Sequence, residues 1–388
     1  MLAMLGEVPE RSNGTVSKTV ELVRVPGVRI PPSPPLYRFM KLKKQTKLSD
    51  FTTIKLGGEA KEFVECKSID EIKEALLYAK EKNLDTWVLA GGSNTIFSDE
   101  GFDGLVIKID LQGVEYDDKG GYVFVSASAG ENWDDLVEEC VKKGLAGIEA
   151  LSGIPGSVGA TPIQNVGAYG QEVGDVVEKV KVLDKQTLKE KEFSAQECKF
   201  GYRTSRFKEE DKEKYIIIEV VYRLIKNKNP QLGYPELEKQ VKEKFGNKAT
   251  LSDARELVLE LRRGKSMVID KRDPNSVSSG SFFTNPILSH KQFEALQNRN
   301  KSRKGFEEVP FYEIKGNNVK VPAAWLIEQA GFTKGYQKGK AAISENHCLA
   351  LVNHGGTTYD IMRLAGEIQY KVKEKFGIEL ECEPSLVG

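Results

Sequence analysis

The sequence lacks an excess of charge of either sign. Lysine and arginine together number 57, as do aspartate and glutamate, so the 388-residue chain has a net charge of zero. Proteins that bind nucleic acid or an anionic membrane surface usually carry a basic patch or stripe. The balanced composition therefore argues against both partners, and we expect neither nucleic acid nor membrane binding.

Histidine and cysteine are also scarce. The 3 histidines form no H-E-x-x-H or similar pattern, so no metal site is predicted. The 5 cysteines are odd in number, widely scattered and without C-x-x-C spacing, as is typical of reduced thiols in a cytosolic protein. They are Cys66, Cys140, Cys198, Cys348 and Cys382.

Long hydrophobic runs are missing as well. No apolar run approaches the roughly 20 residues that a transmembrane helix needs. The N-terminus also lacks the apolar core of a secretory signal. We therefore expect a cytoplasmic protein.

Residues 1–39 differ from the rest of the chain. Proline clusters in R-V-P-G-V-R-I-P-P-S-P-P, where neither a helix nor a sheet can use it, and no hydrophobic periodicity precedes it. We expect disorder here, either because the segment is translated non-coding sequence and Met40 is the true start, or because it is a flexible tether. The whole chain is long enough for two or three domains.

A β-α-β unit is predicted near the start of the globular part. It consists of a strand at residues 63–66, a helix capped by Ser68, and a strand at residues 87–90. The second strand leads directly into G-G-S-N-T at residues 91–95. Backbone N–H groups in such a loop form an anion-binding nest, so a diphosphate is the expected ligand. An ordinary glycine turn is the alternative.

Residues 147–170 are rich in glycine and yet too apolar for a linker. Glycine lets the backbone approach a ligand closely, and Gln164 and Asn165 could supply donors and acceptors to the edge of a ring. We interpret the stretch as the wall around a flat, polyanionic cofactor. The alternative is a buried glycine-rich bend that contacts no ligand.

The remaining elements follow from periodicity and turn signals. Strands are expected at residues 105–107, 122–129, 176–183, 215–225 and 348–353, the fourth being apolar enough to be central. Helices are expected at residues 131–143, 235–245, 252–264 with Ser252 as its cap, 322–330 and 358–376.

Three polar features outside the glycine-rich stretches are candidates for chemistry. Arg203 lies among aromatic residues in the sequence. Its guanidinium is either stacked on an aromatic ring at the surface or placed in a cleft where it binds a carboxylate. Ser281 follows two other serines and precedes a predicted Phe-Phe strand; it is a proton donor or a structural serine, but its surroundings do not fit a nucleophile. Residues 379–384 alternate as a strand with three glutamates on one face, usually a solvent face. A buried member of this set would have a raised pKa.

Five segments resemble the UDP-N-acetylenolpyruvoylglucosamine reductase family of flavoenzymes. They are A-G-G-S-N-T-I-F at 90–97, I-P-G-S-V-G-A-T-P-I-Q-N-V-G-A-Y-G at 154–170, F-G-Y-R-T-S-R-F-K at 200–208, G-S-F-F-T-N-P at 280–286 and P-A-A-W-L-I-E-Q-A-G at 322–331. Only the second is specific by itself, but their order and spacing cover nearly everything from Met40 to Gly388.

The resemblance implies an α+β fold, with two FAD-binding subdomains of the vanillyl-alcohol-oxidase/p-cresol-methylhydroxylase type and a smaller α/β substrate-binding domain. The two FAD-binding subdomains would span residues 40–109 and 110–264, and residues 378–388 would return to the active site. The substrate-binding domain would span residues 265–377. It also implies non-covalent FAD, NADPH as reductant and a UDP-sugar substrate in peptidoglycan synthesis. We expect a monomer.

The family's functional residues can be carried over by motif. Arg203 would polarise the substrate carboxylate, Ser281 would protonate C2 after hydride reaches C3, and Glu383 would stabilise the enolate. Tyr234, on a loop that only one subclass retains, Lys265, Asn285 and His347 would contact substrate. The expected cofactor-binding residues are Gly91, Gly92, Ser93, Asn94, Thr95, Gly153, Ile154, Pro155, Gly156, Ser157, Gly159, Ala160, Gln164, Asn165, Gly167, Ala168 and Tyr169.

Two positions depart from the family pattern. Proline commonly stands between the two final glutamates, where this chain has Cys382, so Glu381 remains an alternative to Glu383. His347 lies where a contact to the diphosphate is expected, within Ser-Glu-Asn-His, which is not a close match.

Two rival functions are weighed against this one. An oxidase of the same flavin fold would need another substrate domain, against which the G-S-F-F-T-N-P segment argues. A non-catalytic flavin-binding module predicts a broken Arg/Ser/Glu set, but all three residue types are present.

Overall fold

The computed structural model describes residues 40–226, 229–230, 232–246, 248–301, 308–314 and 316–388. The predicted N-terminal extension, residues 1–39, lies outside the described residues. From residue 40 onward, helices and strands are mixed along the chain.

Each helix buries apolar side chains. The helices are α1 (Ile69–Lys82), α2 (Trp133–Lys142), α3 (Pro235–Phe245), α4 (Leu251–Gly264), α5 (His290–Lys301), α6 (Ala323–Gln329) and α7 (Thr358–Phe376). Of these, α3 and α4 pack on each other. Short 3-10 helices lie at Leu48–Phe51, Glu149–Leu151, Val158–Ala160, Val173–Asp175 and Pro274–Ser276.

The strands are mostly short. They are β1 (Lys43–Lys47), β2 (Glu59–Cys66), β3 (Asp85–Leu89), β4 (Thr95–Phe97), β5 (Phe102–Ile109), β6 (Val114–Asp118), β7 (Tyr122–Ser128), β8 (Leu145–Ala146), β9 (Gly167–Ala168), β10 (Gln171–Glu172), β11 (Val177–Asp184), β12 (Glu190–Ser194), β13 (Tyr215–Lys226), β14 (Ser278–Ser281), β15 (Ile287–Ser289), β16 (Tyr312–Ile314), β17 (Asn318–Lys320), β18 (Gln337–Lys338), β19 (Ala341–Ile343), β20 (Ala350–Asn353) and β21 (Ser385–Val387).

A sheet with the order β1-β2-β5-β3 forms the N-terminal layer. β5 lies between β2 and β3 and pairs parallel with both, so the predicted β-α-β unit is present with one more strand inserted. α1 begins where predicted, because the Ser68 side chain accepts a hydrogen bond from the Glu71 N–H. The loop at residues 91–95 therefore starts where a parallel strand ends, at the edge where ligands bind in such sheets.

The second sheet is antiparallel, with the order β12-β11-β13-β7-β6 and with β8 attached to β13. The apolar strand β13 lies between β11 and β7, which confirms that it is central. Trp133 of α2 packs on Tyr222 of β13, with ring centroids 5.7 Å apart. The Tyr222 hydroxyl is 2.9 Å from that of Thr161, so the core of this sheet supports the glycine-rich stretch directly.

The C-terminal part contains two smaller sheets, β14-β20-β19-β18 and β15-β17-β16, with α5, α6 and α7 around them. Its apolar core also includes Ile54, Leu56 and Ile96 from the N-terminal layer. The two parts therefore share buried surface, and this fixes the position of β14 relative to the loop at residues 91–95.

The chain ends by returning to the N-terminal layer. β21 pairs parallel with β4, and the Ser385 N–H donates to the Asn94 carbonyl at 2.9 Å. The predicted alternating strand at residues 379–384 is wrong: regular pairing begins only at Ser385, and before it Cys382 makes a single bridge to Phe283. Without a continuous ladder the strand alternation is not kept, so the predicted shared face is lost. Glu379 and Glu381 are exposed, whereas the Glu383 side chain is only 12% exposed.

The cap of α4 also differs from the prediction. Thr250, not Ser252, caps the helix: its side chain accepts from the Asp253 N–H, and the Asp253 carboxylate accepts from the Thr250 N–H. Ser252 lies inside the helix and is exposed. The reciprocal capping box satisfies two N–H groups, and a cap at Ser252 would satisfy one at most.

Thr250→Ala should therefore lower the free energy of unfolding by about 0.5–2 kcal/mol, because it removes the N-cap hydrogen bond. Ser252→Ala is the matched control and should change stability by less than about 0.5 kcal/mol. Urea unfolding of the two variants beside the parent chain measures both values. Equal losses would contradict the assignment of the cap to Thr250.

Candidate active site

A cleft with a volume of about 500 Å³ runs between the two N-terminal sheets and the C-terminal part. Its wall includes residues 91–95, most of residues 154–169, and the predicted catalytic residues Arg203, Ser281 and Glu383. We call it the main cleft. A more open depression of about 670 Å³ beside Tyr122 and Arg223 contains none of the predicted site residues.

Two glycine-rich segments cross at the floor of the main cleft. A Cβ atom on Gly91 would lie 2.6 Å from the Gly156 Cα, so the Gly156 backbone leaves no room for a side chain at residue 91. Gly92 has φ of +65°, and a Cβ atom there would lie 1.9 Å from the Phe51 carbonyl oxygen. Both positions require glycine for steric reasons. The crossing gives a ligand direct access to backbone, as an anion-binding loop needs.

Two of the predicted cofactor residues do not line the main cleft. Asn165, which is 2% exposed, donates to Glu172 Oε2 and the Gly201 carbonyl and accepts from the Gly174 N–H. Its side chain therefore holds the glycine-rich stretch against the neighbouring turns. The other residue is Gly153, whose N–H donates to Asp134 Oδ1. The remaining predicted cofactor residues all line the cleft.

Arg203 occupies a left-handed backbone conformation, with φ of +54°. Such conformations are strained for residues other than glycine and cluster at functional sites. The guanidinium donates from Nη2 to the Gly167 carbonyl at 2.8 Å, and Nε lies 3.3 Å from Glu383 Oε1. Lys208 Nζ donates to the Arg203 carbonyl. These contacts hold the guanidinium in one orientation within the cleft.

Glu383 is the buried member of the C-terminal glutamates. Gln164 Nε2 donates to its Oε1 at 3.1 Å, and Asn94 Nδ2 donates to both Gln164 Oε1 and the Glu383 carbonyl. Burial raises the pKa of the Glu383 carboxyl group, although Arg203, Lys208 and the Gln164 hydrogen bond favour its ionised form. A buried carboxyl group that lies beside a fixed cation and has a raised pKa is a candidate for an acid–base role.

Ser281 ends β14 and pairs with Ala350 of β20, so its backbone is held within a sheet. The strand contains the serines and not the following phenylalanines, which corrects the predicted Phe-Phe strand. Phe282 and Phe283 are fully buried and anchor the strand end in the C-terminal core. Ser281 lines the same cleft as Arg203 and Glu383.

The predicted substrate residues are more dispersed. Lys265 lines the main cleft, with Nζ 5.9 Å from the ring centroid of Tyr169. Tyr234 lies outside the lining and contacts Tyr169 edge to face. Asn285 is also outside it, and its Oδ1 accepts from the Ala323 N–H at the start of α6.

His347 does not line the cleft but lies near a group of cations. Burial lowers its pKa to about 4, and the positive charges of Lys265, Lys334 and Arg262 contribute in the same direction. The imidazole is therefore neutral at physiological pH, and the positive charges of Lys265, Lys334 and Arg262 would stabilise an anion near it.

Four buried polar atoms in the cleft wall have no hydrogen-bond partner among the described residues. Buried polar groups normally have partners, because leaving one unpaired is costly. A ligand with many nitrogen and oxygen atoms would supply them, so the cleft fits a nucleotide-like molecule. The atoms are Trp87 Nε1, Ser157 Oγ, Arg262 Nε and Ser279 Oγ.

Sequence reasoning missed several residues of the cleft wall. Lys208 ends the 200–208 motif, and Ser279 belongs to the run of three serines, so both lay inside segments already singled out. Arg262 lies in the last turn of α4, three residues before Lys265, which caps the helix, and both residues line the cleft. Trp87 gave no signal, because a tryptophan in a strand is usually a core residue.

Comparison with known proteins agrees with this geometry. Residues 60–187 match a family described as FAD binding domain, and residues 273–387 match one described as UDP-N-acetylenolpyruvoylglucosamine reductase, C-terminal domain. The UDP-N-acetylenolpyruvoylglucosamine reductase of Thermobifida fusca is 45% identical over 345 residues, covering 88% of this chain and 96% of that protein. The chain belongs to the UDP-N-acetylenolpyruvoylglucosamine reductase family.

Other members of the reductase family match over similar lengths. The enzyme of Flavobacterium johnsoniae is 38% identical over 352 residues, covering 90% of this chain and all of that protein. The crystal structure of the Thermus caldophilus reductase superposes with a TM-score of 0.60 at 26% identity, over 90% of this chain and 100% of that one.

These matches confirm the predicted α+β fold with its FAD-binding domain, and the chain is an FAD-dependent oxidoreductase. The unpartnered polar atoms and the glycine crossing of the main cleft fit this cofactor. Among the described residues, no helix combines the length and apolar character needed to cross a membrane.

The position of His347 in the reductase fold predicts a pH-dependent stability. Its folded pKa of about 4 lies below its ordinary value of 6.5, so between these values the unfolded chain binds more protons than the folded chain. The free energy of unfolding is therefore unaffected by the titration of His347 above pH 6.5. It decreases as the pH falls from 6.5 toward 4, by up to about 3 kcal/mol.

His347→Gln should remove this part of the pH dependence, and the same change at the exposed His354 should not. Denaturant unfolding at several pH values between 4 and 7 measures the slopes. An unchanged slope in the His347 variant would contradict the assignment.

Proposed function

We propose that this protein reduces the enolpyruvyl group of UDP-N-acetylglucosamine enolpyruvate to form UDP-N-acetylmuramate, with NADPH as reductant, in peptidoglycan synthesis. The supporting observation is that Arg203, Glu383 and Ser281, from three distant parts of the sequence, line one cleft in a chain of this reductase family. They are the cation, the acid and the hydroxyl that such a reduction needs.

FAD would be held by the loop at residues 91–95 and by the cleft-facing residues of 154–169, where backbone lies open to a ligand. When bound, FAD would supply the hydride chemistry that links NADPH to C3 of the enolpyruvyl group.

Arg203 would bind the substrate carboxylate and stabilise the negative charge that develops next to it. A guanidinium has five N–H donors in a fixed fork, so its contacts with Gly167 and Glu383 are compatible with a further carboxylate. Because the guanidinium is already oriented, little reorganisation is needed when charge develops, which is the basis of electrostatic catalysis.

Glu383 would act on the enolate oxygen. Its raised pKa favours a protonated carboxyl group, which can donate a hydrogen bond to an oxyanion that a carboxylate would repel. Arg203 Nε lies 3.3 Å from Oε1 of this carboxyl group and counters any charge that the group develops.

Ser281 would donate the proton to C2. The hydroxyl is carried at the end of β14, whose pairing with β20 and buried phenylalanines fix the backbone. A donor on a rigid strand can present its proton to a single face of the substrate, as stereospecific protonation requires.

The experiment that tests this function separates the two half-reactions. Ser281→Ala should retain flavin reduction by NADPH, because that step needs no proton at the C2 atom of the sugar nucleotide. Reoxidation by the enolpyruvyl substrate should slow on the order of 10²–10⁴-fold. Stopped-flow absorbance of the flavin follows both steps in the same protein.

The C-terminal glutamates provide a matched pair for the same assay. Glu383→Gln should show the split of the serine variant, because Glu383 is buried beside Arg203. Glu381→Gln should leave both steps unchanged, because Glu381 is exposed. The function is contradicted if the substrate fails to reoxidise the reduced parent enzyme; the roles are contradicted if both half-reactions slow together in the Ser281 variant.

The flavin should be bound without a covalent link. All three histidines lie outside the matched FAD-binding domain, at residues 290, 347 and 354. Within that domain, Cys66 and Cys140 are buried away from the cleft, and burial raises the pKa of each thiol to about 12. Acid precipitation should therefore give colourless protein and a yellow supernatant; yellow protein would refute this.

A further inference from the structure

Two adjacent serines of β14 differ in their surroundings. Ser278 Oγ accepts a hydrogen bond from the Gly280 N–H at 3.3 Å. Ser279 is 6% exposed, and its Oγ has no hydrogen-bond partner among the described residues. The pairing of β14 with β20 shifts register between Ser278 and Ser281, and Gly280 has φ of +77°. This irregularity turns Ser279 into the wall of the main cleft, whereas Ser278 is not part of that wall.

Ser279 lies close to the loop at residues 91–95. The Thr53 hydroxyl donates to the Ser278 carbonyl at 2.7 Å and lies 3.5 Å from the Ser93 carbonyl, so one side chain joins the two segments. Ser279 thus follows a residue that is tied to the loop suited to phosphate, and it lines the same cleft as that loop and Ser281. A cofactor that reached from the loop to Ser281 would come close to this hydroxyl.

A buried hydroxyl without a partner destabilises the protein by itself, and a ligand that accepts its hydrogen bond removes that penalty. FAD offers such acceptors along the ribityl chain and on the ring. We propose that the Ser279 hydroxyl donates a hydrogen bond to bound FAD, so that the C-terminal part of the chain contacts the cofactor directly. The proposal rests on FAD binding, not on the identity of the reduced substrate.

The test uses the full-length chain, freed of flavin and titrated with FAD. Ser279→Ala should raise the Kd for FAD about 5- to 30-fold, as expected when one buried hydrogen bond is lost. The flavin-free variant should melt no lower than the flavin-free parent, because the change removes a hydroxyl that had no partner. Weaker binding together with undiminished stability distinguishes a ligand contact from a structural role.

Two further variants control for volume and for the strand. Ser279→Cys keeps the size of the side chain but is a weak donor, so it should bind FAD as poorly as the alanine variant. Ser278→Ala removes a hydroxyl that already has an internal partner, so its Kd should stay within about twofold of the parent.

The outcomes separate this inference from the proposed function. The inference is overturned if Ser279→Ala binds FAD within twofold of the parent, if the Ser278 variant loses as much affinity, or if only the affinity for the enolpyruvyl substrate falls. A parent protein that binds FAD but does not reduce the enolpyruvyl substrate would sink the proposed function and leave the inference standing.

Discussion

The pairing of Arg203 with Glu383 is the interaction on which the cleft depends. A guanidinium and a carboxyl group this deeply placed are costly to desolvate, and removing either would leave the other without its partner. Arg203 comes from the connection between β12 and β13, and Glu383 from the segment that precedes β21. The pair therefore exists only when both N-terminal sheets and the chain end are in place. Gln164 completes it by donating to the same carboxylate oxygen, which brings the glycine-rich stretch into the same network.

Close packing of backbone is the second constraint, and it produces the shape of the site. At Gly91 the Gly156 backbone is too close for any side chain, so peptide groups form the cleft wall at this point. Polar side chains also line this part of the cleft, and several have buried atoms that find no partner in the described part of the chain. A protein interior avoids both features unless a ligand compensates for them. Together with the family of the chain, they explain why the cleft suits a large, polar, flat cofactor.

Much of the local structure follows from the sequence, and the errors have identifiable causes. The Ser68 cap and α7 (Thr358–Phe376) were predicted correctly, because caps and helical periodicity act within a few residues. The cap of α4 was predicted at Ser252, because a serine before an apolar run is typical of a cap. The helix begins earlier because the reciprocal hydrogen bonds between Thr250 and Asp253 satisfy two N–H groups. The alternation at residues 379–384 predicted a strand, but alternation fixes side-chain direction only where a ladder of hydrogen bonds holds the chain extended.

The glycine loops, most of the helices and a set of motifs that indicate one family of flavoenzymes could be predicted from the amino-acid sequence, although α5 (His290–Lys301) was not. Which polar side chains face the cleft depends on the folded chain: Gln164 does and its neighbour Asn165 does not, and Glu383 is buried while Glu381 is exposed. The physical reason is that side-chain direction and desolvation depend on distant partners. The pairing of β21 with β4 brings Glu383 beside Arg203, and the irregular pairing of β14 with β20 turns Ser279 inward. No local pattern in the sequence contains these contacts.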